Sequence, residues 1–321
     1  MATGSPFIGR KEGIGLGIEA TPGTAVAPQV FLRWLDQGLN NMTEVAENDS
    51  AMGVVEKVND SAIVAKWAEG TIEGKVTVES VGFLLLGMFG TVSTGSATSG
   101  VYPHTFSVNQ SSVPTALTIA HVTPLKTQRY AYGVLDNFEL SAEAGAYVTV
   151  SCAVRARVGA TSADTVVIQE AETEFTSKHV TVKKAANLAG LSGAAALSAR
   201  SVQLTLERSS EKHDPLGADE DPEFDRGEFE ARGEFVVRYT DTAYEDAFLA
   251  NTISAMEIKL ANGTDTLAFT ASKVRYRELE KSTDKAGVVT QTVAFYCEFD
   301  ETEGKAIEAV LNNERATYEA A

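Results

Sequence analysis

Apolar residues recur mainly at every second position along the chain. In Ala146–Arg157 this spacing puts Val148, Val150, Cys152 and Val154 on one face of a strand; in Arg200–Leu206 it does the same for Val202, Leu204 and Leu206. The same pattern predicts strands at Val30–Leu35, Thr71–Val78, Ala116–His121, Gly133–Leu140, Phe229–Tyr239, Met256–Leu260, Thr266–Tyr276 and Val288–Phe299. Helical spacing is confined to short pieces. One is capped by Ser80 and runs to about Phe89, one covers Thr242–Ala250, and a last one covers Glu303–Leu311, where Ala306, Ile307, Val310 and Leu311 share a face. Residues 1–28, rich in Gly, Thr and Pro, predict an extended arm. Asp36–Lys66 predicts a long polar loop, of a length that in a compact domain is usually functional or disordered, and Glu207–Asp225 predicts a long acidic one.

The order of elements repeats. Gly74-Lys75-Val76-Thr77-Val78 lines up with Gly233-Glu234-Phe235-Val236-Val237, and each is followed by a short helix and then three strands. The expected fold is mainly β, with two duplicated β-sandwich lobes, each carrying a short flanking helix. The arm takes residues 1–28, the first lobe 29–160, and the second lobe, with the C-terminal helix, 161–321.

Composition narrows the role. With 321 residues, 44% hydrophobic and 22% charged, the chain can fill one or two cores of the soluble kind. Its longest apolar run, Val81–Phe89, is broken by Gly82 and Gly87 and falls short of the roughly 18 residues a membrane span needs, so no membrane binding is expected. The first five residues lack the basic start and apolar core of a signal peptide. Cys152 and Cys297 lie far apart inside β-like runs, which predicts buried free thiols and synthesis in a reducing cytoplasm. The net charge of −17 is lopsided, with 14 acids and 10 bases in residues 1–160 against 30 and 17 in residues 161–321. Gripping phosphates requires the opposite sign. A surface past which DNA slides is compatible with this charge, and so is plain solubility.

Candidate chemistry is sparse. Gly13-Ile14-Gly15-Leu16-Gly17 has no Gly-Lys-Ser/Thr and opens no helix, so it does not make a phosphate loop. The acidic run Asp219–Asp225 has Phe224 where a calcium loop needs Gly, and a solvated loop is expected instead. His104, His121, His179 and His213 are scattered, without partners at ligand spacing and without a Gly-x-Ser-x-Gly nucleophile. Trp34 and Trp67 suit core or interface anchors. No catalytic, cofactor-binding or metal-binding residue is nominated, and no cofactor is expected.

The stretch Gly17-Ile18-Glu19-Ala20-Thr21-Pro22-Gly23-Thr24-Ala25-Val26-Ala27-Pro28, followed by Phe31-Leu32, resembles the start of tail tube proteins from long-tailed, non-contractile phages. Val202–Leu206, Leu216-Gly217, Pro222 and the Gly233 strand are similar to the later part of that family's pattern. The resemblance implies tail-tube-like β-sandwich lobes that join edge to edge into rings, with arms and long loops reaching the next ring. It implies a structural, non-enzymatic virion protein whose main partner is itself. A tape measure protein and double-stranded DNA would pass through the lumen, and tail terminator and distal tail proteins would close the ends. A lumen wide enough for DNA needs a barrel beyond roughly 16–22 strands, so about 24 are expected. Two lobes per chain then favour three chains per ring over six. The alternatives are another tail or neck component with the same lobe, or a two-domain β-sandwich binding module.

On this reading Val30–Leu35, Thr71–Val78, Val202–Leu206 and Phe229–Val237 form the inner sheet. Phe31, Arg33, Glu73, Lys75, Gln203, Arg232 and Glu234 are the candidate inner-sheet residues. The two long loops would stack rings, with Asn41, Glu47, Asp49, Asp214 and Asp221 as candidate contacts.

Overall fold

A computed structural model describes residues 6–167, 172–282 and 285–320. Strands β1 (Gly13–Ile18), β2 (Val30–Phe31), β3 (Trp34–Gln37), β4 (Asn40–Asn48) and β5 (Asp60–Lys75) precede helix α1 (Val81–Phe89). Then come β6 (Gly90–Thr94), β7 (Tyr102–Val108), β8 (Leu117–Val122), β9 (Thr127–Glu143), β10 (Thr149–Ala156), β11 (Ala160–Thr161) and β12 (Val180–Ala185). After the single-turn α2 (Leu188–Leu191) follow β13 (Ala199–His213), β14 (Glu223–Arg238) and α3 (Ala243–Leu249). The chain closes with β15 (Ser254–Asn262), β16 (Asp265–Lys281), β17 (Thr290–Cys297) and β18 (Glu308–Asn313).

Antiparallel pairing joins β3 and β4, end to end along one edge, to β5, and then runs β5–β10–β9–β13–β14–β17–β16. These strands form one continuous sheet. The long strands β9 and β16 bend out of it, so their first halves join a second layer. There β9 pairs with β8 and β8 with β1, while β16 pairs with β15 and β15 with β12. The order β5–β10–β9 against β8 is thus repeated by β14–β17–β16 against β15. Within the repeat, Gly74 faces Val150 as Gly233 faces Phe295, and Cys152 and Cys297 stand at matching places, opposite Ile72 and Ala231. The β6–β7 hairpin has no counterpart after α3. It joins β18 and so extends the outer layer of the second half.

Helix α1 lies wholly inside, with all nine residues buried. An apolar helix with no polar stripe must be covered all round, and its polar ends need partners. At the N-terminal end the Glu172 carboxylate accepts from Ser80 N at 2.8 Å. At the C-terminal end Arg226 donates to Gly87 O at 2.5 Å, and Gly90 takes the left-handed turn (φ 88°) that ends the helix. The Tyr318 ring closes the other side, edge-on to Phe83 at 5.3 Å. A Cβ on Gly82 would sit 2.1 Å from Tyr318 Cζ, so only glycine fits there.

Four expectations are corrected. Part of the 1–28 arm, Gly13–Ile18, is a fully buried strand that pairs with β8 and β2. Ile14, Leu16 and Ile18 alternate there, but the glycines between them hide the period. Asp36–Lys66 is mostly a hairpin of β4 and β5, with only 49–59 between the strands. Likewise β13 and β14 take most of Glu207–Asp225, leaving 214–222 as the turn. The last helix is absent, and Glu308–Asn313 is a strand with Ala309, Leu311 and Asn313 buried in alternation. In a six-residue stretch the two periods fit equally well, and the exposed edges of β16 and β7 decide in favour of the strand.

Candidate assembly interface

The continuous sheet has two unlike faces. One is packed with Ile72, Cys152, Phe138, Leu140, Leu204, Phe235 and Phe295, all buried. The pairing registers align Glu73–Ser151–Glu139–Thr205–Arg232–Tyr296 in one row of the opposite face and Lys75–Thr149–Ser141–Gln203–Glu234–Ala294 in the next. Five of the candidate inner-sheet residues, Glu73, Lys75, Gln203, Arg232 and Glu234, therefore share one polar face. Phe31 does not: it pairs with Gly15 in the second layer and is 6% exposed. Arg33 lies beside Lys75, whose amide donates to Arg33 O, and its guanidinium reaches Glu174 at 2.6 Å.

Cations in the middle of this face are already engaged. Arg232 pairs with Glu207 and with Glu230 at 3.3 Å. Arg155 lies 3.4 Å from Asp136 and 3.9 Å from Glu69. Arg275 and Arg277 converge on Glu298 at 2.9 and 3.1 Å, and Lys75 sits 3.9 Å over the Tyr147 ring. Glu73, Glu139, Glu234 and Glu278 have no ion-pair partner among the described residues. A phosphate backbone meeting this surface finds few free cations and a surplus of carboxylates.

The five candidate stacking residues are at one end of the sheet. Asn41 and Glu47 lie on β4 and Asp49 follows it. Asp214 pairs with Lys212 at 2.9 Å and Asp221 with Arg157 at 3.2 Å. The two hairpins touch: Lys66 bridges Asp219 (3.0 Å) and Glu220 (2.5 Å), and Lys212 reaches Glu44 at 3.9 Å while lying 3.9 Å over Trp67. The β4–β5 hairpin projects with Met42, Val45, Met52, Val54, Val55, Ile63 and Val64 exposed, Val55 at 99%. So many bare apolar groups on one two-stranded ribbon mark an interaction surface. Polar composition concealed them from the sequence reading.

The N-terminal motif has a structural cause. Buried Glu19 accepts from Gly23 N (2.6 Å), Thr118 Oγ1 (2.8 Å) and Tyr132 N (2.9 Å), which ties the Thr-Pro-Gly turn to β8 and β9. Tyr132 stands at φ 55°, a conformation that a non-glycine holds only when its surroundings enforce it. Desolvation raises the Glu19 pKa, against the pull of these hydrogen bonds and of Arg157.

A family model described as phage tail tube protein matches residues 9–297. The chain belongs to that family. It is a structural component of the phage tail, rich in β-strand. No curated protein matches the chain. Among the described residues no cluster of His, Cys, Asp and Glu could hold a metal ion, and no helix is long and apolar enough to cross a membrane. Both thiols are free, and burial pushes that of Cys297 up to about 12, so neither is a nucleophile at neutral pH.

Proposed function

We propose that the chain forms three-subunit rings that stack into the tube conducting DNA, with the polar sheet face lining the lumen. The observation that carries this reading is the continuous sheet of eight strands in order, counting β3 and β4 as one edge. Both of its edges, β3–β4 and the C-terminal stretch of β16, have no strand partner outward among the described residues. Such bare edges are an aggregation hazard in a finished protein unless another chain covers them. Within the chain, β9 of the first half joins β13 of the second. The matching joint between chains sets β16 against β3, which closes a ring. With strands about 4.8 Å apart and tilted about 40°, three chains give a barrel about 48 Å across between backbones, and six give about 96 Å. The smaller ring leaves a bore wide enough for a duplex once side chains are added.

The lobes of this ring are residues 29–160 and 161–321, six per layer. The chain's own carboxylates keep the lumen slippery, and the two hairpins reach the next layer. Tape measure, terminator and distal tail proteins are the further partners, and assembly follows synthesis in the host cytoplasm. No step in this role calls for catalysis. Negative-stain electron microscopy of the concentrated protein tests the reading: stacked rings with a stain-filled centre are expected. A monodisperse monomer at every concentration would refute it.

A further inference from the structure

The turn between β13 and β14 ends in Leu216, which is fully exposed, with Asp214 on one side and Asp219, Glu220 and Asp221 on the other. Those carboxyl side chains are 38%, 48%, 56% and 65% exposed, so even where Lys66, Lys212 or Arg157 approaches them they keep open sides. At the far end of the same two strands lies an open cavity of about 690 Å³ whose lining mixes apolar Ala144, Ala199 and Val288 with Ser198, Ser282, Thr290, Gly287 and the two arginines Arg200 and Arg238. Arg200 and Arg238 are exposed there, and neither guanidinium has an ion pair or hydrogen bond among the described residues. Elsewhere on the sheet the arginines are paired, so two adjacent bare ones at a cavity mouth stand out. Val288 is 74% exposed in the same place.

A protruding leucine flanked by acids thus sits at one end of β13 and β14, and a hollow of mixed lining that carries two arginines at the other. Strands of 15 residues separate them by about 50 Å. From this complementarity we infer that Leu216 and its acidic neighbours in one copy dock into the Arg200–Arg238 cavity of a second copy stacked head to tail. The contact rests on the tube reading and gives it a polarity, because the knob and the hollow are different surfaces and neither can pair with itself. Ion pairs form the rim and the leucine fills the centre.

The test uses the full-length protein and three variants: Arg200→Glu/Arg238→Glu, Leu216→Asp, and the first combined with Asp219→Lys/Glu220→Lys. All the changed side chains are exposed, and matching thermal melts will show that each variant folds. The first two are expected to give closed rings by sedimentation and microscopy, with at least a tenfold loss of tubes. The charge-swapped combination is expected to restore tubes. Wild-type tubes should fall apart into rings near 1 M salt, where screening acts within about 3 Å. Normal tubes from the arginine variant would overturn the contact and leave the tube reading standing. A swap that fails to restore tubes would show that the arginines meet some other surface, which also overturns it. Failure of the wild-type chain to make rings would instead remove the tube reading and the contact with it.

Discussion

Glu19 shows how one buried carboxylate holds several segments. Removing it leaves the amides of Gly23 and Tyr132 and the Thr118 hydroxyl without their acceptor, and Tyr132 is already in a costly backbone conformation. Glu19→Ala should therefore destabilise the chain by about 2–4 kcal/mol in denaturant titrations. His104 has the opposite relation to pH. Its Nε2 faces Asn313 Oδ1 (3.1 Å) and Arg315 O (2.9 Å), both acceptors, so Nε2 carries the proton and Nδ1 accepts from Thr94. Desolvation lowers its pKa below 6.5. The unfolded chain takes up the proton first, so the stability His104 contributes is complete above pH 6.5 and is lost as the pH falls towards its folded value. The stability gap between wild type and His104→Asn should shrink between pH 7.5 and 5 in thermal melts. A gap that is constant or widens would show that the ring is not held neutral. Glu19 works the other way: its raised pKa means the folded state binds its proton first, so this group adds stability as the pH falls towards 4.5.

Among the elements, α1 and the β4–β5 hairpin are extremes of burial. The helix is held at its C-terminal end by Arg226, which also donates to Leu135 O (2.5 Å) and Arg208 O (3.2 Å), while Arg208 reaches Asn109 O and Ser111 O. Burial lowers the pKa of Arg226 to about 10, which still leaves it charged at neutral pH. Arg226→Met would orphan three carbonyls, including one at the negative end of the helix. A loss of about 3–5 kcal/mol is expected from equilibrium unfolding. The hairpin tip, by contrast, contributes little to the monomer. Replacing 49–59 by a short Gly-Asn turn should leave the melting temperature within a few degrees of wild type and abolish tubes under the microscope. Normal tubes would take the tip out of the stacking role. Sequence patterning located α1 from its unbroken apolar run after Ser80, and most long strands from their sustained apolar alternation. It missed β1, whose intervening positions are glycine, and β4, which buries nothing within the chain and so carries no inward period.

For the whole molecule, the prediction concerns number. A ring of three chains should appear in native mass spectrometry as a species three times the chain's 34.1 kDa, whereas a sixfold species would place one lobe outside the barrel. Sequence by itself determined the β-rich class, the order of the repeat and which alternate positions of the long strands are polar, because alternation and helix-to-strand order are local and survive in a linear string. The Glu19 motif was visible too, although its reason was not: the three groups it binds come from three separate segments. Only the tertiary structure decided that Phe31 is core, that the final segment is a strand, that both acidic hairpins share one end, and that Arg200 and Arg238 at the other have no ion-pair partner among the described residues. These outcomes depend on which edges and cations find partners across long sequence separations. No local pattern carries that information, since the same residues would be equally at home paired or exposed.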